Sequence, residues 1–365
     1  MKARVALPTA SERRCDAEIA TAMTALFVAT ATATAAPRLF VAGCGYVGLR
    51  VANEARARGY EVSGSVRNAE KAENLRAAGF DAHIFDLDDG YTGLDDRGLA
   101  ALASATHVLA TVPPVADFDR DPLLALHGDA LAAEGTSLRW AGYLSTTSVY
   151  GDHGGGWVDE RAETRVPAGG RAAARLQAER EWLELRARSG GRLASHVFRL
   201  AGIYGPGRSA LHTVARSAGT SVAAARAARR ADDDAPPPPL LGHLRAERPD
   251  GLAPKYVSRV HVADIGAALL ASMEAPAASA NAAVYNIGDD EPAPRQEVMA
   301  HAAHLLGLPL TEEAAAGSPG ERADRRARGE HKSVDNRRMR AELLPRGLAF
   351  PSYREGLQAV IDEAT

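Results

Sequence analysis

The sequence is poor in cysteine: Cys15 and Cys44 are the only two among its 365 residues. Two thiols cannot form a disulfide framework or supply a metal site by themselves. Cys44 lies in a glycine-rich loop, where either a small side chain is sufficient or the thiol serves as a redox switch. The histidines are scattered and lack cysteine or carboxylate partners at metal-ligand spacing. The formal net charge of -3 at pH 7 argues against a general nucleic-acid or membrane-surface binder. We therefore expect no metal, no nucleic-acid partner and no membrane partner.

The first 37 residues differ in composition from the rest of the chain. Four basic residues precede Cys15, and an alanine- and threonine-rich apolar run follows over residues 19–37. Small-residue patterns at 31–35 resemble cleavage sites, but threonines interrupt the run too often for a membrane span. Two interpretations of this N-terminal extension stay open. It is either a targeting peptide for an organelle (plastid or mitochondrion), although Glu12, Asp16 and Glu18 are unusual in such peptides, or a cytoplasmic tail.

A glycine-rich loop follows the first strongly apolar segment. Residues 38–42 predict a buried strand, and an alanine-rich helical pattern begins soon after. Between them, Gly43 permits a tight turn, Gly45 lets backbone amides approach phosphates, and Gly48 lets helix and strand pack closely. The helix N-terminus adds partial positive charge. The sequence therefore predicts that a dinucleotide diphosphate binds the loop residues Gly43, Gly45, Tyr46, Val47 and Gly48.

From residue 38 onward, strand and helix patterns alternate, which predicts an α/β fold built on a Rossmann-type, doubly wound parallel sheet. The predicted strands cover residues 38–42, 61–66, 81–85, 106–112, 140–146, 193–201, 256–262 and 284–287. The predicted helices cover residues 46–59, 70–78, 123–133, 176–189, 264–273, 295–306 and 353–362.

The predicted domains follow from this alternation. Residues 1–37 form the extension, residues 38–205 an NAD(P)-binding Rossmann domain, and residues 206–365 a smaller C-terminal substrate-side region. Within that region, residues 217–254 show no apolar period and carry an acidic and a proline run. They predict a mobile surface insertion whose arginines Arg226, Arg229 and Arg230 form a solvated face.

The residues after the second strand indicate which nucleotide is bound. An NAD-specific loop places a carboxylate there for the ribose hydroxyls, but this strand ends Ser65-Val66-Arg67 and has no acid. The Ser65 hydroxyl, the Arg67 guanidinium and the Lys71 ammonium together favour a 2′-phosphate, and therefore NADP, with NAD as the alternative. Asp86, at the end of the third strand, is a candidate acceptor for the adenine amine.

Three segments resemble a known group. Residues 144–151 (LSTTSVYG) resemble the serine/threonine strand of the extended short-chain dehydrogenases/reductases, the superfamily of NAD-dependent epimerases and dehydratases. Residues 199–208 (RLAGIYGPGR) resemble the sixth-strand signature of that superfamily, and residues 257–265 (VSRVHVADI) its I-H-V-x-D element. Residues 334–339 and 353–357 are similar to the YeeZ-like branch of atypical members. The resemblance runs from residue 38 to the C-terminus, apart from the 217–254 insertion.

The resemblance implies a catalytic hydroxyl, which matches Thr146, but the proton relay of the family is missing. Members that turn over a substrate use a tyrosine and a lysine four residues later, and these positions hold Arg171 and Arg175 here. Arginine stays protonated, so it cannot relay a proton, although it can bind an anion or hold an oxyanion. We expect Thr146, Arg171 and Arg175 to serve catalysis.

Other candidates follow from the same segments. Tyr150, Tyr204 and His261 are the candidate replacement acids, although each also suits a packing or capping role. Arg171, Arg208 and Tyr204 are expected to bind the substrate.

Three functions remain compatible with these residues. The first is an NADP-dependent oxidoreductase or epimerase-like enzyme that acts on a small, anionic substrate. The second is a sensor that binds NADP(H) without turnover, which the missing relay favours. The third is a scaffold whose 217–254 insertion recruits a partner. Dimer packing through helices is common in the superfamily, and by that analogy alone a homodimer is one alternative; the sequence does not give the oligomeric state.

Overall fold

The computed structural model describes residues 35–87, 93–115, 120–231, 255–275, 283–311, 314–315 and 331–364. The expected N-terminal extension lies outside these residues as far as position 34, and so do positions 232–254 of the expected insertion. Within the described ranges, no helix combines the length and the apolar character that a membrane crossing requires.

Strands and helices alternate along the described chain. The strands are β1 (Arg38–Ala42), β2 (Glu61–Val66), β3 (Asp81–Asp86), β4 (Gly93–Leu94), β5 (His107–Ala110), β6 (Trp140–Thr146), β7 (Trp157–Val158), β8 (Ala194–Leu200), β9 (Gly202–Tyr204), β10 (Tyr256–Val257), β11 (Arg259–His261), β12 (Ala283–Ile287), β13 (Ala293–Pro294) and β14 (Ser333–Val334). The helices are α1 (Tyr46–Ala57), α2 (Ala69–Ala77), α3 (Asp96–Ser104), α4 (Pro122–Ala132), α5 (Gly170–Arg188), α6 (Ala210–Ser217), α7 (Val222–Ala231), α8 (Val262–Glu274), α9 (Arg295–Leu306), α10 (Arg337–Glu342) and α11 (Tyr353–Glu363).

Eight strands form the main sheet in the order β12-β8-β6-β5-β1-β2-β3-β4. All neighbours are parallel except the short β4, which is antiparallel to β3. The direction of progression along the sheet reverses between β1 and β5. In doubly wound sheets a ligand binds outside the carboxyl ends of the strands at such a reversal. The predicted Rossmann-type sheet is confirmed.

The sheet is covered on both faces, and strand β1 shows how the two cores are divided. Alternate residues of β1 point to opposite layers: Leu39 and Val41 pack with α1 and α8, whereas Phe40 and Ala42 pack with α4 and α5. All four side chains are at most 1% exposed. The carboxyl end of β1, and with it the glycine loop, is therefore held by a core on either side.

The part of the chain after residue 205 contributes to the main sheet and also forms a separate helical core. Strand β12 completes the main sheet beside β8, and α8 covers one of its faces. Helices α6, α7, α9 and α11 form a separate core around Leu211, Met299 and Leu357. Short strand pairs connect the two, with β11 parallel to β9, β10 antiparallel to β13, and β14 parallel to β7.

The expected insertion differs from the prediction where it is described. Residues 222–231 form α7, with Val222 and Ala225 buried in the core of α6, α9 and α11. Arg226 and Arg229 do not form a solvated face, because their guanidinium groups donate hydrogen bonds to the carbonyls of Ala364 and His304 near the ends of neighbouring helices. Val222 and Ala225 give this alanine–arginine run one apolar face, and the long arginine stems cover apolar surface while their heads bind exposed carbonyls, so the run folds as an amphipathic helix.

Candidate functional site

A cavity of about 390 Å³ lies at the carboxyl ends of the central strands. Its wall combines the start of α1, Thr111 after β5, residues 144–148 at the end of β6, and residues 200–203 after β8. The cavity therefore occupies the position at which a doubly wound sheet binds a nucleotide.

Two glycines of the loop are required by the fold itself. Gly43 has a φ of +96°, and a Cβ there would meet Thr111 Oγ1 at 2.6 Å. At Gly48 a Cβ would overlap the Gly43 carbonyl oxygen, because α1 crosses β1 closely at this point. Both positions exclude any side chain for reasons of packing.

Gly45 is different, because the protein places nothing within 4 Å of where its Cβ would be. This open face borders the cavity. Gly45 is also the N-cap of α1, no side chain caps that helix, and its first turn contains no acid. The amides of the first turn are thus left to a ligand, and the helix end attracts negative charge. A dinucleotide diphosphate fits this cradle, which Gly45, Tyr46, Val47 and Gly48 would form.

The Cys44 thiol faces the core and not the cavity. Its residue is 3% exposed, and burial raises the pKa of the thiol to about 11. A thiol that stays protonated is a poor nucleophile. The redox-switch alternative is therefore not supported, and Cys44 acts as a small apolar side chain.

The residues at the end of β2 and just after it form a buried and an exposed group. Ser65 is fully buried, and its hydroxyl accepts a hydrogen bond from Gly43 N at 3.2 Å, so it braces the loop and is not open to a 2′-phosphate. The Asn68 side chain accepts from Lys71 N and caps α2. Arg67 and Lys71 are exposed beyond the end of β2. Asp86 is half-buried at the end of β3 and outside the cavity wall, so its adenine contact stays a prediction.

Thr146 and Arg175 both line the cavity, as expected for the family positions they occupy. The Thr146 hydroxyl accepts from Ser148 N at 3.2 Å and caps the 3-10 turn Thr147–Tyr150. Arg175 Nη1 donates to the Leu144 carbonyl at 2.6 Å. The guanidinium is therefore anchored at the end of β6, where it adds positive charge to the wall.

Tyr46 and Arg208 connect the glycine loop to the turn after β9. The Tyr46 hydroxyl donates to the Pro206 carbonyl at 2.9 Å, and burial raises the pKa of this hydroxyl. The Arg208 guanidinium lies 5.8 Å from the centroid of the Tyr46 ring. Both side chains line the cavity, and Arg208 also lines a second cavity of about 390 Å³ that shares Gly202, Ile203 and Val257 with the first.

Two expected catalytic residues are not brought to the cavity. Arg171 is exposed in the first turn of α5 and lines neither of these two cavities. Tyr150 is fully buried; its hydroxyl donates to Asn286 Oδ1 at 2.7 Å and accepts from Arg199 Nη1 at 3.0 Å. Burial raises the pKa of Tyr150 to about 12. The structure thus corrects the expectation for Tyr150, because a packed hydroxyl with both roles filled does not reach a ligand.

The remaining candidate acids also have structural partners. His261 is the N-cap of α8, where its Nδ1 accepts from Ala263 N at 3.3 Å, and burial lowers its pKa to about 4. Tyr204 lines the second cavity, and its hydroxyl donates to the Ser352 carbonyl at 3.2 Å. The expected contact of Tyr204 with the substrate therefore stays a prediction. Its hydroxyl proton is already donated to the Ser352 carbonyl.

Sequence reasoning missed two features of this region. Lys332 lines the cavity and is 5% exposed, although nothing around it in the sequence marks it. Ser145, at the cavity wall, donates to Glu179 Oε1 at 2.6 Å, and Glu179 in turn forms a buried ion pair of 2.7 Å with Arg199. The sequence contains the family signature around Arg199, but it does not identify Glu179 as the partner, because Glu179 is 20 positions away on another element.

The cavity wall has a uniform electrostatic character. Its cationic side chains are Arg175, Arg208 and Lys332, and its described wall includes no carboxylate. The described residues also contain no cluster of His, Cys, Asp or Glu suited to a metal ion. The arrangement can bind a diphosphate at one end and a further oxygen anion at the other.

Comparison with known proteins agrees with this geometry. The model of the NAD dependent epimerase/dehydratase family matches residues 131–288. Protein YeeZ of Escherichia coli K12 is 28% identical over 176 residues, which is 47% of this chain and 60% of YeeZ. The chain thus spans less than two thirds of this curated relative in the alignment.

Solved structures extend the similarity over nearly the whole chain. A functionally unknown conserved protein from Silicibacter pomeroyi is 34% identical, with a TM-score of 0.64, and the match covers 90% of this chain and 99% of that one. A dTDP-glucose 4,6-dehydratase from Bacillus anthracis, solved with NAD, has a TM-score of 0.59 over 90% of this chain and 96% of its own, and at 15% identity it shares the fold. The glycine loop, the serine/threonine strand and these relatives together show that the chain belongs to the NAD-dependent epimerase/dehydratase family.

Proposed function

We propose that the protein is an NADP-dependent oxidoreductase or epimerase-like enzyme that acts on a small anionic substrate. The observation that carries this proposal is the single cavity that joins the uncapped start of α1 to Thr146 and to three cationic side chains. A bound nicotinamide would supply or accept hydride there. Thr146 would hold the substrate oxygen, and the cationic wall would bind negative charge.

The preference for NADP is supported by the surface after β2. Arg67 and Lys71 are exposed there, and the strand end Ser65-Val66-Arg67 carries no carboxylate to accept ribose hydroxyls. Among the described residues, the Arg67 guanidinium has neither a hydrogen-bond nor an ion-pair partner, so a 2′-phosphate can bind it without breaking a contact. A guanidinium suits the bidentate recognition of phosphate.

The anionic substrate is supported by the second cavity. Its cationic side chains are Arg208, Arg259 and Arg295, and its described wall has no carboxylate. Arg259 Nη1 donates to the Val257 and Ala293 carbonyls at 2.7 and 2.9 Å, which fixes the guanidinium in place. Apolar side chains from α9 and α11, such as Val298 and Leu357, complete the wall. This cavity suits a carboxylate or phosphate ester that carries an apolar part.

Calorimetry of the full-length protein tests the cofactor. We expect NADPH to bind at least tenfold more tightly than NADH, and Arg67→Ala to remove most of this preference. Arg346→Ala, at an exposed arginine outside both cavities, is the control and should leave it unchanged. Binding of neither nucleotide would refute the proposal, and an unchanged preference in Arg67→Ala would refute its NADP part.

Turnover distinguishes the enzyme from its alternative, an NADP(H) sensor, which the arginines in place of the family tyrosine and lysine favour. We expect NADPH consumption with 2-oxo carboxylates or aldose phosphates, and a loss of at least tenfold in kcat/KM for Thr146→Ala. Tight NADPH binding without turnover of either class of carbonyl would support the sensor.

A further inference from the structure

Carbonyl reduction requires a proton donor, and the described wall of the first cavity offers few. Tyr46 already donates its hydroxyl proton to the Pro206 carbonyl. An arginine side chain binds anions but is not a proton donor at physiological pH, which excludes Arg175 and Arg208. The hydroxyls of serine and threonine are far weaker acids than an ammonium group. The wall residue that remains is Lys332.

Backbone hydrogen bonds of the residues before and after Lys332 hold it in the cavity wall. Strand β14 pairs with β7, where Ser333 N donates to the Gly156 carbonyl at 3.0 Å. Val334 N donates to Ser258 Oγ at 2.9 Å. On the other side, the His331 carbonyl accepts from His153 N at 3.1 Å and from Gly155 N at 2.9 Å. These contacts fix the backbone of Lys332 against the loop that follows the 3-10 turn.

The side chain ends at the far end of that same 3-10 turn. Lys332 Nζ donates to the Gly151 carbonyl at 3.0 Å, whereas the Thr146 hydroxyl caps the start of the turn. Both side chains line the cavity, and the turn Thr147–Tyr150 lies between the Lys332 ammonium group and the Thr146 hydroxyl. The family uses a hydroxyl at the Thr146 position to hold the substrate oxygen.

We propose that Lys332 is the proton donor of this cavity, in the place of the tyrosine that the family uses. The inference rests on the proposed function. When a carbonyl carbon receives hydride from a reduced nicotinamide, the C=O π pair moves to the oxygen, and the oxygen takes one proton from the Lys332 ammonium. The products are an alcohol, the oxidised nicotinamide and a neutral amine, which regains its proton from water. Thr146 orients the same oxygen.

Chemical labelling tests the position of the amine without any turnover. The chain has four lysines, of which Lys255 is exposed and lines neither cavity. Acetylation by acetic anhydride, quantified by peptide mass spectrometry, should modify Lys332 in the free full-length protein, and saturating NADPH should slow this at least tenfold. Lys255 should react equally in both samples. Absence of Lys332 acetylation in the free protein, or equal acetylation with NADPH, would overturn the inference.

Two substitutions separate proton donation from a structural role. Lys332→Met should lower turnover of the 2-oxo acid or aldose phosphate at least a hundredfold, while the Kd for NADPH changes less than threefold. Lys332→Arg keeps a cation that can bind the Gly151 carbonyl but cannot release a proton, so it should restore folding without restoring turnover. Lys255→Met is the matched control and should behave as the wild type.

The outcomes also distinguish this inference from the proposed function. If the wild type binds no NADPH, the proposed function fails. If NADPH binds and Lys332→Met turns over as the wild type does, or Lys332→Arg restores turnover, Lys332 is a structural residue and only the present inference fails. If no carbonyl is turned over, the proton-donor role is refuted together with the enzyme.

Discussion

Glu179 and Arg199 form an ion pair inside the protein, where neither residue is more than 6% exposed. Arg199 Nε and Nη2 both donate to the Glu179 carboxylate, and Ser145 Oγ donates to the same group at 2.6 Å. Burial alone disfavours the charge on Arg199, but the hydrogen bonds and the charge of Glu179 raise its pKa above the usual range. The pair therefore stays ionised and holds α5 against β6 and β8 next to the cavity.

Removal of one partner would leave the other charge buried without compensation. We expect Glu179→Gln to lower the free energy of unfolding by about 3 kcal/mol. Urea denaturation followed by circular dichroism measures this loss. Glu184→Gln is the control, because Glu184 is exposed on the same helix, and it should change stability by less than about 0.5 kcal/mol. A loss of similar size in both variants would show that the ion pair has no special role.

Single residues show which parts of the candidate site could be predicted from the sequence. Thr146 and Arg175 line the cavity wall, and a local signature and a fixed spacing in the following helix identify them in the sequence, whereas their catalytic roles stay predictions. Tyr150 was assigned wrongly, since its hydroxyl binds Asn286, which lies 136 positions later. Lys332 was missed for the same reason, because Gly151 is 181 positions away. Local patterns identify a turn, but only the fold decides which distant side chain completes it.

At the scale of elements, we expect two glycines near the turn between β1 and α1 to have different roles: Gly48 is needed for packing, and Gly45 for ligand binding. We expect Gly48→Ala to lower the free energy of unfolding by about 2 kcal/mol, because its Cβ would overlap the Gly43 carbonyl. Gly45→Ala should leave stability within about 0.5 kcal/mol of the wild type, since the protein has no atom within 4 Å of the new Cβ. That methyl group would instead occupy space that the diphosphate needs.

The affinity for NADPH distinguishes the two positions. Calorimetry should show that Gly45→Ala binds NADPH at least tenfold more weakly, although thermal unfolding of the variant is unchanged. Wild-type affinity in Gly45→Ala would contradict the assignment of this loop as the diphosphate site. Loss of stability in Gly45→Ala, with none in Gly48→Ala, would contradict the packing argument.

Elements were predictable where their pattern is strong. Strand β6 and helix α9 have the predicted ends, because an apolar run and a clear apolar period mark each of them. Helix α5 begins at Gly170, six positions before the prediction, since the arginines and alanines of its first turns have high helix propensity but no apolar stripe. The two-residue β4 was missed, because a strand of that length carries no pattern of its own.

At the scale of the whole molecule, Asp289 links stability to pH. It is 1% exposed, and burial raises the pKa of its carboxyl to about 8, although the Arg259 guanidinium opposes this shift. Its pKa is higher in the folded than in the unfolded chain, so the folded chain binds more protons between about pH 4 and pH 8. The stabilisation that the protonated carboxyl provides is full below pH 4 and is lost as pH rises through 8.

We therefore expect Asp289→Asn to remove a downward slope of stability with rising pH. Between pH 5 and pH 7 the wild type should lose about 1.4 kcal/mol per pH unit relative to the variant. Urea unfolding at several pH values measures the difference. Glu363→Gln changes an exposed carboxyl on α11 and should run parallel to the wild type. Parallel curves for Asp289→Asn would show that the carboxyl is ionised in the folded protein.

The pairing of β14 with β7 has a consequence for biosynthesis. Every strand of the main sheet lies between residues 38 and 287, so all of these strands are synthesised before the segment after residue 330. Lys332 and Val334 belong to that last segment, and they close the wall beside residues translated nearly two hundred codons earlier. A nascent chain that stops short of residue 331 thus contains every strand of the main sheet but lacks Lys332 and Val334, two residues of the cavity wall.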